Sequence, residues 1–246
     1  MRSAKTCLIQ NGTPEVTKDY QVGAEAGRSS GAFGGASGYP IRTPVVDLAE
    51  IGAGGGSVAW VDDGGVLRVG PQSAGAHPGP ACYGQGGTKP TVTDANLVLG
   101  RIDTAIAGGS LHLDIDAAKA AIEDEIAKPL GLDVYRAANG ILQIVNNTMM
   151  GAIRNVSVER GHDPRQFALV AFGGAGPMHA IDVAALLDIP VVIAPPNPGV
   201  SSAYGLLVAD FKNDYARTFI QKPPNYNSMA MERVYQELER EALEWL

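Results

Sequence analysis

AFGGAGPMHA, residues 171–180, follows the apolar run Phe167-Ala168-Leu169-Val170 and opens a helical pattern through MHAIDVAALLDI, residues 178–189. PVVIAP, residues 190–195, comes next, so the order reads strand, glycine turn, helix, strand. That order predicts a βαβ-like unit of the α/β class. Gly173, Gly174 and Gly176 leave the turn without side chains where a ligand would approach the backbone. Pro177 suits a first helical turn, whose free N–H groups and dipole favour an anion. The same residues also serve close packing of helix on strand, and they form neither the spaced GxGxxG fingerprint nor a Walker loop. A ligand turn and a packing turn both fit.

Upstream, Val134, Ala138, Ile141, Val145, Met149, Ile153 and Val156 recur at three- and four-residue spacing. The spacing predicts one long amphipathic helix from 134 to about 160, ending near Gly161. A shorter helix, AAKAAIEDEIAKPLG, is expected from an Asp116 cap to Gly131. Residues 70–95 carry four prolines and little periodicity, which predicts a long loop bearing Cys82, Tyr83 and Asp94. Asp62-Asp63-Gly64-Gly65 separates two valine-rich runs and predicts a hairpin of strands near 57–61 and 66–69, with the aspartates as turn residues.

At the N-terminal end, Asn11-Gly12 lies between an apolar stretch and a run containing Val16 and Val22, again a hairpin pattern. GAEAGRSSGAFGGASGYP, residues 23–40, reads as a linker or a loop ordered against something else. At the other end, SMAMERVYQELEREALEWL predicts a helix capped by Ser228, with Met231, Val234, Tyr235, Leu238, Ala242 and Trp245 on one face. An apolar stripe of this kind is expected to meet a partner.

The chain has 246 residues, 45% hydrophobic and 18% charged, with 31 glycines and 16 prolines. Those values describe a folded globular protein rich in tight turns. A net charge of −7 with 19 Lys and Arg argues against coating a nucleic acid, whose affinity comes from basic residues on phosphates. No apolar run approaches the roughly 18 residues that span a membrane, so no membrane partner is expected. Cys7 and Cys82 are the only cysteines, too few for a zinc motif or a disulfide framework, and the expected location is the cytoplasm. His77, His112 and His162 show no ligand spacing with His179, and no metal residues are assigned.

Three long stretches occur in one order: EIGAGGGSVAWVD at 50–62, VGPQSAGAHPGPACYGQGGTKPTVTDANLVLGRI at 69–102, and ERGHDPRQFALVAFGGAGPMHA at 159–180. Together they resemble the hydantoinase A and oxoprolinase family, which includes related subunits of acetone and acetophenone carboxylases, over residues 4–213. The resemblance implies an α/β fold of the actin, hexokinase and Hsp70 ATPase type, here its second half with an inserted glycine-rich β and loop region. It implies a remnant of phosphate-hairpin strands at 1–22, the insert at 23–112, a helical segment with the adenosine-loop unit at 113–213, and the start of a C-terminal region at 214–246.

By the same resemblance, Gly173, Gly174, Ala175 and Gly176 are expected to bind ATP at its adenosine end, with Mg²⁺ as a further cofactor. Gly54, Gly55, Gly56 and Ser57 are expected in a substrate-site wall. Asp47, Cys82, Asp94 and His179 are the candidates for chemistry; a capped turn for Asp94 and a buried thiol for Cys82 are equally consistent, and His179 as a lone histidine reads more readily as a satisfied surface or core residue than as a base. The implied activity is the ATP-dependent activation of a cyclic amide carbonyl by phosphorylation for ring-opening hydrolysis. Ketone carboxylation and a noncatalytic assembly role are the alternatives. The family's two Asp-x-Gly-Gly-Thr phosphate hairpins have no match, so an upstream ATPase domain is expected to be missing, together with sequence downstream of Leu246. The chain is therefore expected to be a fragment that is inactive alone. A hydantoinase B-type subunit or domain is the expected partner, and the substrate a small cyclic amide.

Overall fold

A computed structural model describes residues 4–17, 20–22, 39–41, 44–224 and 226–245. The glycine- and serine-rich stretch from 23 to 38 lies outside the described residues. The first eight strands are short: β1 (Ala4–Thr6), β2 (Ile9–Gln10), β3 (Thr13–Pro14), β4 (Val16–Thr17), β5 (Tyr20–Val22), β6 (Tyr39–Ile41), β7 (Val45–Val46) and β8 (Ala49–Ile51). Asn11 and Gly12 have φ of 51° and 77°, the paired positive values of a hairpin turn that joins β2 to β3. The expected hairpin is only that short, because the flanking residues pair elsewhere. β1 runs antiparallel to β8, β4 to β7 and β5 to β6.

β9 (Ser57–Val61) and β10 (Leu67–Ser73) form the second predicted hairpin. Asp62 closes it as a turn residue, its carboxylate accepting from the N–H groups of Gly64 and Val66 and from Arg68 Nε at 2.8 Å. The loop that follows is shorter than its composition suggests. A 3₁₀ turn occupies Ala81–Tyr83, and α1 (Val92–Val98) begins before Asp94. After a small pair, β11 (Ala105–Ile106) with β12 (Leu111–His112), comes α2 (Ile115–Ile122). It passes through a π-helical stretch at Glu123–Ala127 into α3 (Lys128–Leu130). Asp114 rather than Asp116 caps α2, because its Oδ1 receives both the Asp116 and Ala117 N–H groups at 2.9 Å.

α4 (Val134–Val156) is the spine of the molecule. Asp133 caps it, accepting from Tyr135 and Arg136 N–H. Its buried stripe is Ala137, Ala138, Ile141, Leu142, Val145, Ala152 and Val156, and a 3₁₀ turn at Val158–Arg160 ends it at Gly161. One flank of this helix contributes to the main core with Val92, Leu97, Ile122 and Ile126. Met150 and Ile153, joined by Met149 which also touches the main core, pack against Val183, Ala184, Leu187 and Ile189 in a second core. The latter residues come from α5 (Gly176–Leu186) and its exit, set between the parallel strands β13 (Ala168–Val170) and β14 (Val191–Ile193). The predicted βαβ unit is therefore present. α6 (Ser201–Val208) and α7 (Ser228–Trp245) follow, with no residue fully buried in either. Asn227 Oδ1, accepting from Ala230 N–H at 3.0 Å, caps α7 in place of the expected Ser228.

Candidate functional site

Backbone hydrogen bonds hold the turn at 171–176 from below. Ala171 N–H extends the parallel pairing to Ile193 C=O at 2.8 Å, and Gly173 N–H donates to Pro198 C=O at 2.8 Å. Gly173 has φ of 91°, a conformation that disfavours any side chain. Gly174 is exposed, Ala175 is buried as the N-cap of α5, and no side chain caps that helix. A Cβ built on Gly176 would meet nothing within 4 Å. The turn thus ends in uncapped helical backbone beside open space, an arrangement suited to hydrogen-bond acceptors on a ligand.

Gly55 is the residue that joins this turn to the earlier motifs. A Cβ there would lie 2.9 Å from Thr93 Oγ1 and 3.7 Å from Ala175 Cβ, so the insert loop, the start of α1 and the start of α5 meet at one glycine. Gly55 C=O accepts from both Thr93 N–H and Thr93 Oγ1 at 2.8 Å. Gly54, Gly56 and Ser57 are buried as well. Ser57 Oγ accepts from Gly54 N–H at 3.0 Å, and Gly56 C=O receives Ala74 N–H.

Asp94 is wholly buried and its carboxylate is fully engaged. Oδ2 accepts from Thr91 Oγ1 at 2.7 Å, Thr91 N–H at 2.8 Å and Ala81 N–H at 3.3 Å; Oδ1 accepts from Cys82 N–H at 2.8 Å. Thr91 completes a capping box, so Asp94 fastens the 81–83 turn to α1. Cys82 is equally buried, and desolvation together with the Asp94 charge pushes its thiol well above the ordinary range. That environment disfavours the thiolate a nucleophile requires.

Asp47 sits apart from these residues. It pairs with the Arg160 guanidinium, which also binds Glu15 Oε2 at 2.9 Å, while His162 stands 3.7 Å from Glu15 Oε1. This cluster ties the N-terminal strands to the end of α4.

His179, one turn into α5, is buried and neutral: burial first, and then the Arg101 charge, pull its pKa down to about 4. Its Nδ1 lies 2.7 Å from Asn146 Oδ1 on α4. Asn146 Nδ2 donates to Asp182 Oδ2, which also receives Arg101 Nη1 at 2.5 Å. None of Asn146, Asp182 and Arg101 was singled out by sequence reasoning. The available signal was Asn146 itself, a polar residue one turn past Leu142 in an otherwise apolar stripe. Among the described residues no group of three His, Cys, Asp or Glu side chains is placed to hold a metal ion, and no helix is long and apolar enough to cross a membrane.

A parallel strand pair with a helix between, entered through a bare glycine turn, defines an α/β protein. The chain belongs to the hydantoinase/oxoprolinase family, whose sequence pattern matches residues 3–215. It is 38% identical over 223 residues to the acetophenone carboxylase gamma subunit of Aromatoleum aromaticum, covering 84% of this chain and 30% of that one. Among solved structures it resembles the ATP-dependent caprolactamase of Pseudomonas jessenii, at 44% identity and a TM-score of 0.67 over 84% of this chain and 30% of that one. It also resembles an acetone carboxylase in its nucleotide-free form, at 27% identity and a TM-score of 0.80 over 99% of this chain and 34% of that one. The chain spans about a third of the length of these relatives, and its fold is that of the family's actin-like α/β ATPases.

Proposed function

We propose that this chain is part of the ATP-dependent subunit of a cyclic amide hydrolase of the hydantoinase and 5-oxoprolinase kind. One observation carries the reading: the glycine turn is exposed at Gly174, open beside Gly176 and uncapped at α5. A turn shaped only for packing presses its glycines against protein, as Gly55 is pressed against Thr93; Gly176 faces space instead. On this reading Gly173 to Gly176 receive the adenosine end of ATP, and Mg²⁺ accompanies the phosphates. Transfer of the γ-phosphoryl group to the carbonyl oxygen of a ring amide releases ADP. Water then adds to the activated carbon, the C–N bond opens and phosphate leaves. The part of this chain is to bind and orient, with Gly54, Gly55, Gly56 and Ser57 supporting the wall beside the turn. Asp47, Cys82 and Asp94 carry structural roles here, and a B-type subunit or domain completes the site. The free Cys7 and Cys82 suit the cytoplasm.

The match to acetone carboxylase over 99% of the chain favours a second reading, in which the same ATP-binding turn serves ketone carboxylation. Two measurements on the full-length protein decide between these and a noncatalytic role. Gly174→Val is expected to raise the Kd for ATP at least tenfold while the Tm without nucleotide stays within a few degrees. An unchanged Kd removes the turn from the site, and the absence of any saturable ATP binding favours the assembly role. ADP release driven by lactams or hydantoins supports the hydrolase, whereas release only with ketone and bicarbonate supports the carboxylase.

A further inference from the structure

Among the described residues, two buried side-chain atoms have no hydrogen-bond partner, Asn96 Oδ1 and His179 Nε2. Both residues are at most 1% exposed. The Asn96 amide nitrogen donates back along its own helix to Val92 C=O at 2.9 Å, which leaves the oxygen bare. For His179 the tautomer follows from its neighbours. Asp182, paired with Arg101, is an acceptor, so Asn146 turns its Nδ2 toward Asp182 and its Oδ1 toward the ring. Nδ1 therefore carries the hydrogen, and Nε2 is left as a lone pair.

The helices bearing these atoms are held together on both sides of them. At their N-terminal ends Gly55 lies between Thr93 of α1 and Ala175 of α5. Beyond the C-terminal end of α1, Arg101 reaches Asp182 of α5. Asn96 follows Thr93 by three residues and His179 follows Ala175 by four, so each stands one turn below the Gly55 contact on the same face.

We infer that Asn96 Oδ1 and His179 Nε2 form a buried acceptor pair that holds one neutral donor with two hydrogens between α1 and α5. A bare pair of lone pairs in the interior bears the full desolvation penalty with no return, and buried polar groups are ordinarily satisfied by protein or ordered water. The Arg101 guanidinium and the Asp182 carboxylate beside the ring are paired and offset one another, so the site carries no net charge to favour a cation and suits a neutral donor. Two sources share this chemistry, an internal water molecule and the amino group of a bound ligand. In either case the bridge couples α1, which carries the Asp94 anchor, to α5, which begins at the glycine turn. The inference stands without the nucleotide reading.

Crystals of the full-length protein, grown with and without ATP and diffracting well enough to show ordered water, test it. Density within about 2.7–3.2 Å of both atoms is expected. A water present in both crystals identifies an internal water, and an amino group present only with the ligand identifies the second source. An empty seam, or an Asn96 side chain turned so that its Nδ2 donates directly to His179 Nε2, overturns the inference. A double-mutant cycle with Asn96→Leu and His179→Phe reads the same coupling in solution. The fall in Tm of the double variant should be clearly smaller than the sum of the single falls; equal values count against a shared donor.

Discussion

His179 is buried on α5 with its ring against Asn146, and burial holds it neutral with its pKa near 4. In the unfolded chain the same ring titrates near 6.5, so the unfolded state takes up the proton first as pH falls. Its contribution to stability is complete above about pH 6.5 and is lost progressively toward pH 4. The ceiling is about 3 kcal/mol, at roughly 1.4 kcal/mol per unit. Thermal melts of the full-length protein at pH 7 and pH 5 should show a larger loss than those of His179→Gln; equal losses would remove burial as the cause. Asp94 and Cys82 are read similarly. Hydrogen bonds to a buried charged group contribute about 1.5–3 kcal/mol each, so Asp94→Ala should cost at least about 3 kcal/mol. Cys82 should resist iodoacetamide until the protein unfolds, and rapid labelling of the native protein would contradict its burial. The capped turn and the buried thiol were both readable from the sequence; what was not is that Asp94 also holds the Ala81 and Cys82 N–H groups, 13 and 12 positions away, beyond any local pattern.

Among the elements, legibility followed the range of the contacts that form them. The β9–β10 hairpin was readable because its Asp62 turn is local, and α4 because its stripe repeats within the helix itself. The β13–turn–α5–β14 order was readable for the same reason. The pairing of β1 with β8 was not, since it joins residues 45 positions apart, as Lys5 with Glu50 shows. The cap of α2 was misassigned by two residues because Asp114 and Asp116 both precede the same apolar run. Only the direction of the Asp114 carboxylate separates them. Arg160 supplies the test at this scale. It links the Glu15 and Asp47 segments to the end of α4 through partly exposed pairs, which individually contribute about 1 kcal/mol or less. Arg160→Met should leave the Tm nearly unchanged while raising hydrogen exchange in residues 4–17 and 44–51. Exchange unchanged there would mean that strand pairing alone holds the segment.

For the whole molecule, the two cores are unequal. The main core around α4 encloses its residues on several sides, whereas the β13–β14 pair leaves Val170, Val191 and Ile193 nearly half exposed. Parallel strands are ordinarily covered on both faces, and two of them bury too little surface to stand alone. Further along the chain, Leu206 and Leu207 of α6 are more than three-quarters exposed, and Phe211 is 96% exposed. Large apolar side chains left this exposed mark an interface or an aggregation hazard where they adjoin. In the acetone carboxylase chain, two thirds of the polypeptide lies outside the matched 34%, which is material enough to cover comparable faces there. The 246-residue chain purified by itself should therefore self-associate, with a sedimentation coefficient that climbs with concentration. Leu206→Glu with Leu207→Glu should shift it toward monomer, because charge on both residues opposes burial of that face while touching neither core. Monodisperse sedimentation of the unmodified chain at high concentration would show that its exposed faces need no cover, and the coverage argument would then fall.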